Sequence, residues 1–126
     1  MGVEYQLLLP GAEEAEPALR DAPKVINRHH YKDKALPWPY VYIGRGTPLG
    51  NPYTVAEHGM EALELYRRHL WAKIRAGDRE ALEVLERLTP HHHLVCSCAP
   101  RPCHGDVVVR AWRWLQAQGR VRWPKA

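Results

Sequence analysis

Residues 94–106 carry the side chains best suited to chemistry, because all three cysteines of the chain lie there with a histidine and an aspartate. On a strand, side chains two positions apart project from the same face, so Cys96 and Cys98 are expected to point the same way. Cys103 and His104 follow a short proline-containing loop and come just before a helix-like run. Backbone amides and the positive end of the helix dipole there favour a thiolate or a bound anion.

Two kinds of site fit this cluster. In a catalytic site, Cys103 paired with His104 suits a covalent thiol mechanism, and Asp106 near a histidine suits hydrolysis of a glycosidic or phosphate-ester bond. In a metal site, the candidate zinc ligands are Cys96, Cys98, Cys103 and His104. Adjacent side chains on a helix diverge by about 100°, which disfavours tetrahedral ligation by the last two. We therefore expect no stoichiometric zinc and no other cofactor, and a Cys103 thiol that is alkylated faster than the deeper Cys96.

Composition limits the class of protein that carries this site. The chain has 126 residues, 45% of them hydrophobic, which suits one globular domain with a single core. No apolar run approaches the ~20 residues that cross a bilayer, and the first residues do not resemble a secretory signal. Three cysteines in one short segment do not form a disulfide framework. We expect a cytoplasmic protein without a membrane partner, whose formal net charge of +4 permits contact with nucleic acid.

A second unusual loop, residues 44–52, follows the strand-like residues 40–43 and contains three glycines, two prolines, an arginine and an asparagine. A glycine-rich loop after a strand can direct backbone amides at an anion, which Arg45 would grip. The spacing matches neither the Walker pattern nor the Rossmann pattern. The candidate ligand-binding residues of this loop are Arg45, Gly46, Gly50 and Asn51.

Two helices separate this loop from the cysteine segment. Apolar residues, Tyr66 among them, recur at steps of three and four over residues 59–76, which predicts a helix with an apolar face. Gly77 would end this helix, and Asp78 can cap a second one. This hairpin would join strands at residues 40–43 and 94–98 as parallel neighbours. Ligands of open α/β sheets bind at the carboxyl edge of the strands, so both loops should line one pocket.

Three segments have distinctive residues in a fixed order: residues 25–32 (VINRHHYK), residues 41–52 (VYIGRGTPLGNP) and residues 95–106 (VCSCAPRPCHGD). Together they resemble the family called domain of unknown function 4326, over about residues 24–118. The resemblance implies a family core preceded by a variable segment, residues 1–23. It implies no settled activity, so function must be inferred from the residues.

The sequence therefore predicts a small single-domain α/β protein over residues 1–126. We expect three to five strands, at least partly parallel, a helical hairpin crossover and a C-terminal helix. The favoured function is binding and processing of a phosphorylated or nucleotide-like small molecule, by a hydrolase or transferase, in a pocket between the Gly44–Asn51 and Cys98–Asp106 loops. Asn27 and Arg28 complete the predicted ligand-binding set. The alternative is a non-enzymatic zinc-binding module that contacts nucleic acid.

Overall fold

A computed structural model describes residues 22–97 and 103–123, which form one sheet and a layer of helices. The strands are β1 (Lys24–Asn27), β2 (Tyr40–Tyr42) and β3 (His93–Cys96). The helices are α1 (Val55–His58), α2 (Glu61–Ala76), α3 (Arg79–Arg87) and α4 (His104–Ala117), and a 3₁₀ turn (Arg28–Tyr31) follows β1. The prediction of a small α/β fold is confirmed.

The sheet has the order β1-β3-β2, and both strand pairs are parallel. Helices α1, α2 and α3 lie in the chain between β2 and β3, so the predicted parallel pair with a helical crossover is confirmed. The register pairs Val41 with Leu94 and Tyr42 with Val95. Since side chains alternate along a strand, these two pairs lie on opposite faces of the sheet. The carboxyl ends of the three strands meet at one edge.

Local chemistry sets the boundaries of the helical hairpin. Gly77 ends α2 with a φ of 74°, a left-handed conformation that glycine adopts readily. Asp78 caps α3, because its carboxylate accepts a hydrogen bond from the Ala81 amide at 3.0 Å. Both features agree with the sequence prediction.

The core lies between the helices and the sheet face that carries Leu94 and Cys96. Trp112 of α4 is fully buried there, and its indole N–H donates to the carbonyl oxygen of Leu88 at 2.9 Å. The opposite face presents the Tyr40 and Tyr42 side chains of β2, both more than a third exposed. Within the described part of the chain, the sheet thus has one packed face and one open face. None of the described helices combines the length and the apolar character that a membrane-spanning helix needs.

Candidate functional site

Residues 103–106, the described part of the predicted cysteine loop, begin at the carboxyl edge of the sheet, where His104 contacts the end of β2. Ile43 directly follows β2, and its carbonyl oxygen accepts a hydrogen bond from Nε2–H of His104 at 2.6 Å. A carbonyl can only accept, so Nε2 is the protonated donor in this contact. His104 is only 8% exposed, so the start of α4 packs closely against the end of β2. This contact between His104 and Ile43 is named here the loop junction.

Cys103 is the N-cap of α4 and faces the end of β3. Its sulfur accepts a hydrogen bond from the Gly105 amide at 3.3 Å and lies 3.8 Å from Nδ1 of His104. The sulfur of Cys96 lies 3.0 Å from that of Cys103, and both cysteines are buried. The structure thus brings the predicted nucleophile and its histidine together with a second thiol.

Burial alters what can be expected of these thiols. Cys103 is 2% exposed and Cys96 0%, so exposure gives no reason for Cys103 to be alkylated first. Cys98, the other predicted zinc ligand, lies outside the described residues. In residues 22–97 and 103–123, no group of three or more histidine, cysteine, aspartate or glutamate side chains is placed to hold a metal ion.

Tyr66 of α2 belongs to this junction, although the sequence indicated only that it is a core residue. Its hydroxyl donates to the carbonyl oxygen of Leu49 at 2.7 Å, and its ring meets the His104 imidazole edge to face, with 5.1 Å between centroids. Burial, reinforced by the nearby Cys103, raises the pKa of the Tyr66 phenol far above its usual value. Tyr66 therefore links the glycine-rich loop to α2 as a neutral donor.

We expect Tyr66→Phe to lower the free energy of unfolding at neutral pH by about 1–2 kcal/mol, because the Leu49 carbonyl loses its donor. In the unfolded chain the phenol ionises near pH 10, whereas in the folded protein its raised pKa keeps it protonated. The free energy of unfolding of the wild type should therefore fall above about pH 10, by up to about 1.4 kcal/mol per pH unit, because only the folded state retains the phenolic proton. Phenylalanine has no such proton, so the variant should not show this loss. In urea denaturation at stepwise higher pH, the gap between the two proteins should narrow. A gap independent of pH would contradict this.

The glycine-rich loop is folded on itself. The Thr47 amide donates to the Gly44 carbonyl at 3.2 Å, and the Gly50 amide donates to the Thr47 carbonyl at 2.9 Å. The Thr47 hydroxyl also donates to the Gly44 carbonyl, at 2.7 Å. Two amides expected to face an anion are therefore engaged within the loop, whereas Arg45 and Gly46 are exposed at its outer end.

Gly46 borders a cleft of about 410 Å³ whose charged walls are Lys73, Glu80 and Glu83. Two carboxylates beside one ammonium group do not favour an anionic ligand. The surroundings of Gly46 therefore lend no support to its predicted role.

The two asparagines expected to orient a ligand bind the backbone through their side-chain oxygens. The Asn27 oxygen accepts a hydrogen bond from the His29 amide at 2.8 Å and caps the 3₁₀ turn. The Asn51 oxygen accepts one from the Tyr53 amide, also at 2.8 Å. Asparagine favours such turns because its short side chain reaches the amide two residues ahead. These contacts give both residues a structural role.

The amide of Asp106 donates to the Cys103 carbonyl at 2.9 Å, but its side chain belongs to a different surface from the Cys103–His104 pair. It is exposed, and it lines a cleft of about 410 Å³ together with Arg67 and Arg110. Burial of Arg67, followed by the charges of Arg110 and Arg68, lowers the pKa of the Arg67 guanidinium. Residues two apart on a helix diverge by about 200°, so Asp106 and His104 project in different directions. The side chains of the three predicted catalytic residues therefore do not face one common site.

A cavity of about 950 Å³ lies on the open face of the sheet and is named here the open-face cavity. Its lining residues are Arg28, His29, Tyr31, Lys32, Lys34, Leu36, Tyr40, Tyr42 and Val95. The Arg28 guanidinium donates to the Tyr42 hydroxyl at 3.1 Å and lies 5.7 Å from the centre of that ring. Arg28 is thus a predicted ligand-binding residue that borders a basic and aromatic cavity.

Residues 26–114 match the family described as a domain of unknown function, DUF4326. The chain belongs to the DUF4326 family. The matched range includes β2, β3 and most of α4, so the loop junction and the open-face cavity both lie in the part that this DUF4326 chain shares with its family. The resemblance inferred from the three sequence segments is confirmed.

A similar protein is the uncharacterized 12.4 kDa protein in the nrdA-td intergenic region of Enterobacteria phage T4. The two are 36% identical over 72 residues, which cover 54% of this DUF4326 chain and 62% of the phage protein. The chain therefore spans less than two thirds of the length of that relative. No solved structure matches the chain.

Proposed function

We propose that this protein binds a nucleotide-like ligand, in which a phosphate group is joined to an aromatic base, in the open-face cavity. The proposal rests on one observation: basic and aromatic side chains together line a single cavity of about 950 Å³. A cavity of this size is within the range that small-molecule sites occupy.

The phosphate would be held by Arg28, Lys32 and Lys34, which lie just after β1. Asp33 is the only carboxylate in residues 22–42, so positive charge predominates there. The guanidinium of Arg28 has the fork geometry that binds phosphate with two hydrogen bonds, and the Tyr42 hydroxyl orients it. Arg28 also follows the carboxyl end of β1, the sheet edge at which open α/β proteins bind ligands.

The base would be held by the tyrosines of the cavity. Tyr40 is 39% exposed and Tyr42 38% exposed, and both project from the open face. An aromatic side chain that stacks on a base contributes about 1–3 kcal/mol to nucleic-acid binding. Val95, almost fully buried between the outer strands, supplies an apolar part of the cavity wall.

Chemical processing receives less support than binding. Cys103 and His104 would supply a thiol and an imidazole, but both are buried. Cys96, which contacts Cys103, projects from the packed face of β3, whereas Val95 projects from the open face. The sheet therefore lies between the thiols and the open-face cavity, and we propose no covalent step for the ligand bound there.

Calorimetric titration with ADP, adenosine and inorganic phosphate tests the proposal. We expect ADP to bind more tightly than either part, and Arg28→Ala to weaken ADP binding at least tenfold, which corresponds to about 1.4 kcal/mol. Arg87→Ala is the control, because it removes an exposed arginine of α3 that is paired with Glu83. If Arg45→Lys weakened ADP binding and Arg28→Ala did not, the ligand would be held at the glycine-rich loop, and the open-face proposal would be wrong.

A further inference from the structure

We infer that the occupant of the open-face cavity is one unit of a single-stranded nucleic acid, rather than a free nucleotide. This inference rests on the proposed function, since it names the molecule to which the bound nucleotide belongs. It depends on aromatic and basic side chains that continue beyond the cavity walls.

The aromatic surface extends past the cavity through Trp38. This side chain is 80% exposed, and it meets Tyr40 edge to face with 5.7 Å between ring centroids. The ring of Trp38 therefore stays open to a ligand, next to the tyrosines of β2. A mononucleotide carries one base, whereas this surface offers aromatic rings to several.

The spacing of the rings suits an unstacked strand. Tyr40 and Tyr42 lie two residues apart on one face of β2, a separation of about 6.6–6.8 Å along the strand. This is about twice the 3.4 Å between successive bases of one strand in duplex DNA. Successive bases would therefore have to separate from one another to meet successive rings, which a single strand permits and a duplex resists.

The basic side chains are also spread over more than one phosphate position. Lys24 pairs with His93 at the start of β1 and shares the open face, while Arg28, Lys32 and Lys34 follow at the other end of that strand. All four are exposed. A second copy of the chain, docked through the same face by a twofold axis, would bring like charges together, so charge complementarity favours a polyanion.

Fluorescence anisotropy with labelled dT12, and calorimetry with dTMP, test the inference on the full chain. We expect dT12 to bind at least tenfold more tightly than dTMP, and about 20-fold more weakly in 200 mM than in 50 mM salt if three phosphates are contacted. Trp38→Ala should weaken dT12 binding at least fivefold and leave dTMP binding unchanged. Met60→Ala is the control, because Met60 is an equally exposed large apolar residue (86%) outside the open-face cavity.

Each other outcome overturns the inference in a distinguishable way. Equal affinity for dT12 and dTMP, with no effect of Trp38→Ala, would overturn it and leave the proposed function intact. Binding of ADP but of neither dT12 nor dTMP would overturn the inference alone, whereas failure of all three to bind would overturn both. Binding of a 12-base-pair duplex as tight as that of dT12 would exclude recognition of separated bases. A dimer in sedimentation velocity that Trp38→Ala dissociates would assign the face to contact between copies.

Discussion

Gly50→Ala should lower the free energy of unfolding by about 3 kcal/mol. A Cβ at this position would lie 2.3 Å from the Gly44 carbonyl oxygen and 3.2 Å from that of Thr47. The Gly44 carbonyl is held in place, because it accepts hydrogen bonds from both the amide and the hydroxyl of Thr47. The added methyl group must therefore break this turn or displace the neighbouring Leu49, which is 1% exposed in the core.

Gly46→Ala is the matched control for this prediction. Gly46 has a φ of 89° but nothing within 4 Å of a Cβ, so its substitution should cost only about 1–2 kcal/mol of backbone strain. Urea denaturation followed by tryptophan fluorescence compares the two variants. Equal losses would contradict the steric argument. A Gly50→Ala protein of normal stability that had lost only ligand affinity would favour the role predicted from the sequence.

Gly105→Ala should lower the free energy of unfolding by about 2 kcal/mol. A Cβ at this position would lie 2.7 and 2.9 Å from the two methyl groups of Val25, and 3.3 Å from Cδ1 of Ile43. Alanine favours a helix over glycine by about 1 kcal/mol, so the net loss is smaller than the steric cost itself. Thermal and urea denaturation measure this loss. The close approach of α4 to β1 and to the end of β2 thus depends on the missing side chain.

Val25→Ala provides the test of this contact, because it removes the methyl groups that the new Cβ would meet. The double variant Gly105→Ala/Val25→Ala should be more stable than the sum of the two single losses predicts, by at least about 1 kcal/mol. Additive losses would show that the Gly105–Val25 approach is not what limits the substitution.

Local patterns were sufficient to predict much of the fold. The helical period of α2, the Gly77 terminus and the Asp78 cap depend on residues a few positions apart, and each occurs as expected. The parallel pairing of β2 with β3 also followed from the sequence, because two parallel neighbours need a long crossover and the hairpin provides one. By contrast, the 3₁₀ turn after β1 was not predicted. Its sequence signal is equally local, because the Asn27 side chain that caps the turn accepts a hydrogen bond from the amide of His29, two residues ahead.

The amino-acid sequence was enough to identify the residues available for chemistry and the alternation of side chains along the strands. How those residues are used depends on the packing of the folded chain, because the relevant contacts join distant positions. His104 meets Ile43 across 61 positions and Tyr66 meets Leu49 across 17, and Cys103, the predicted nucleophile, is buried. Alternation likewise separates Tyr40 and Tyr42 from Val41, but only the packing of the helices determines which face stays open to solvent. Periodicity is a property of neighbouring residues, whereas burial depends on everything that packs against them.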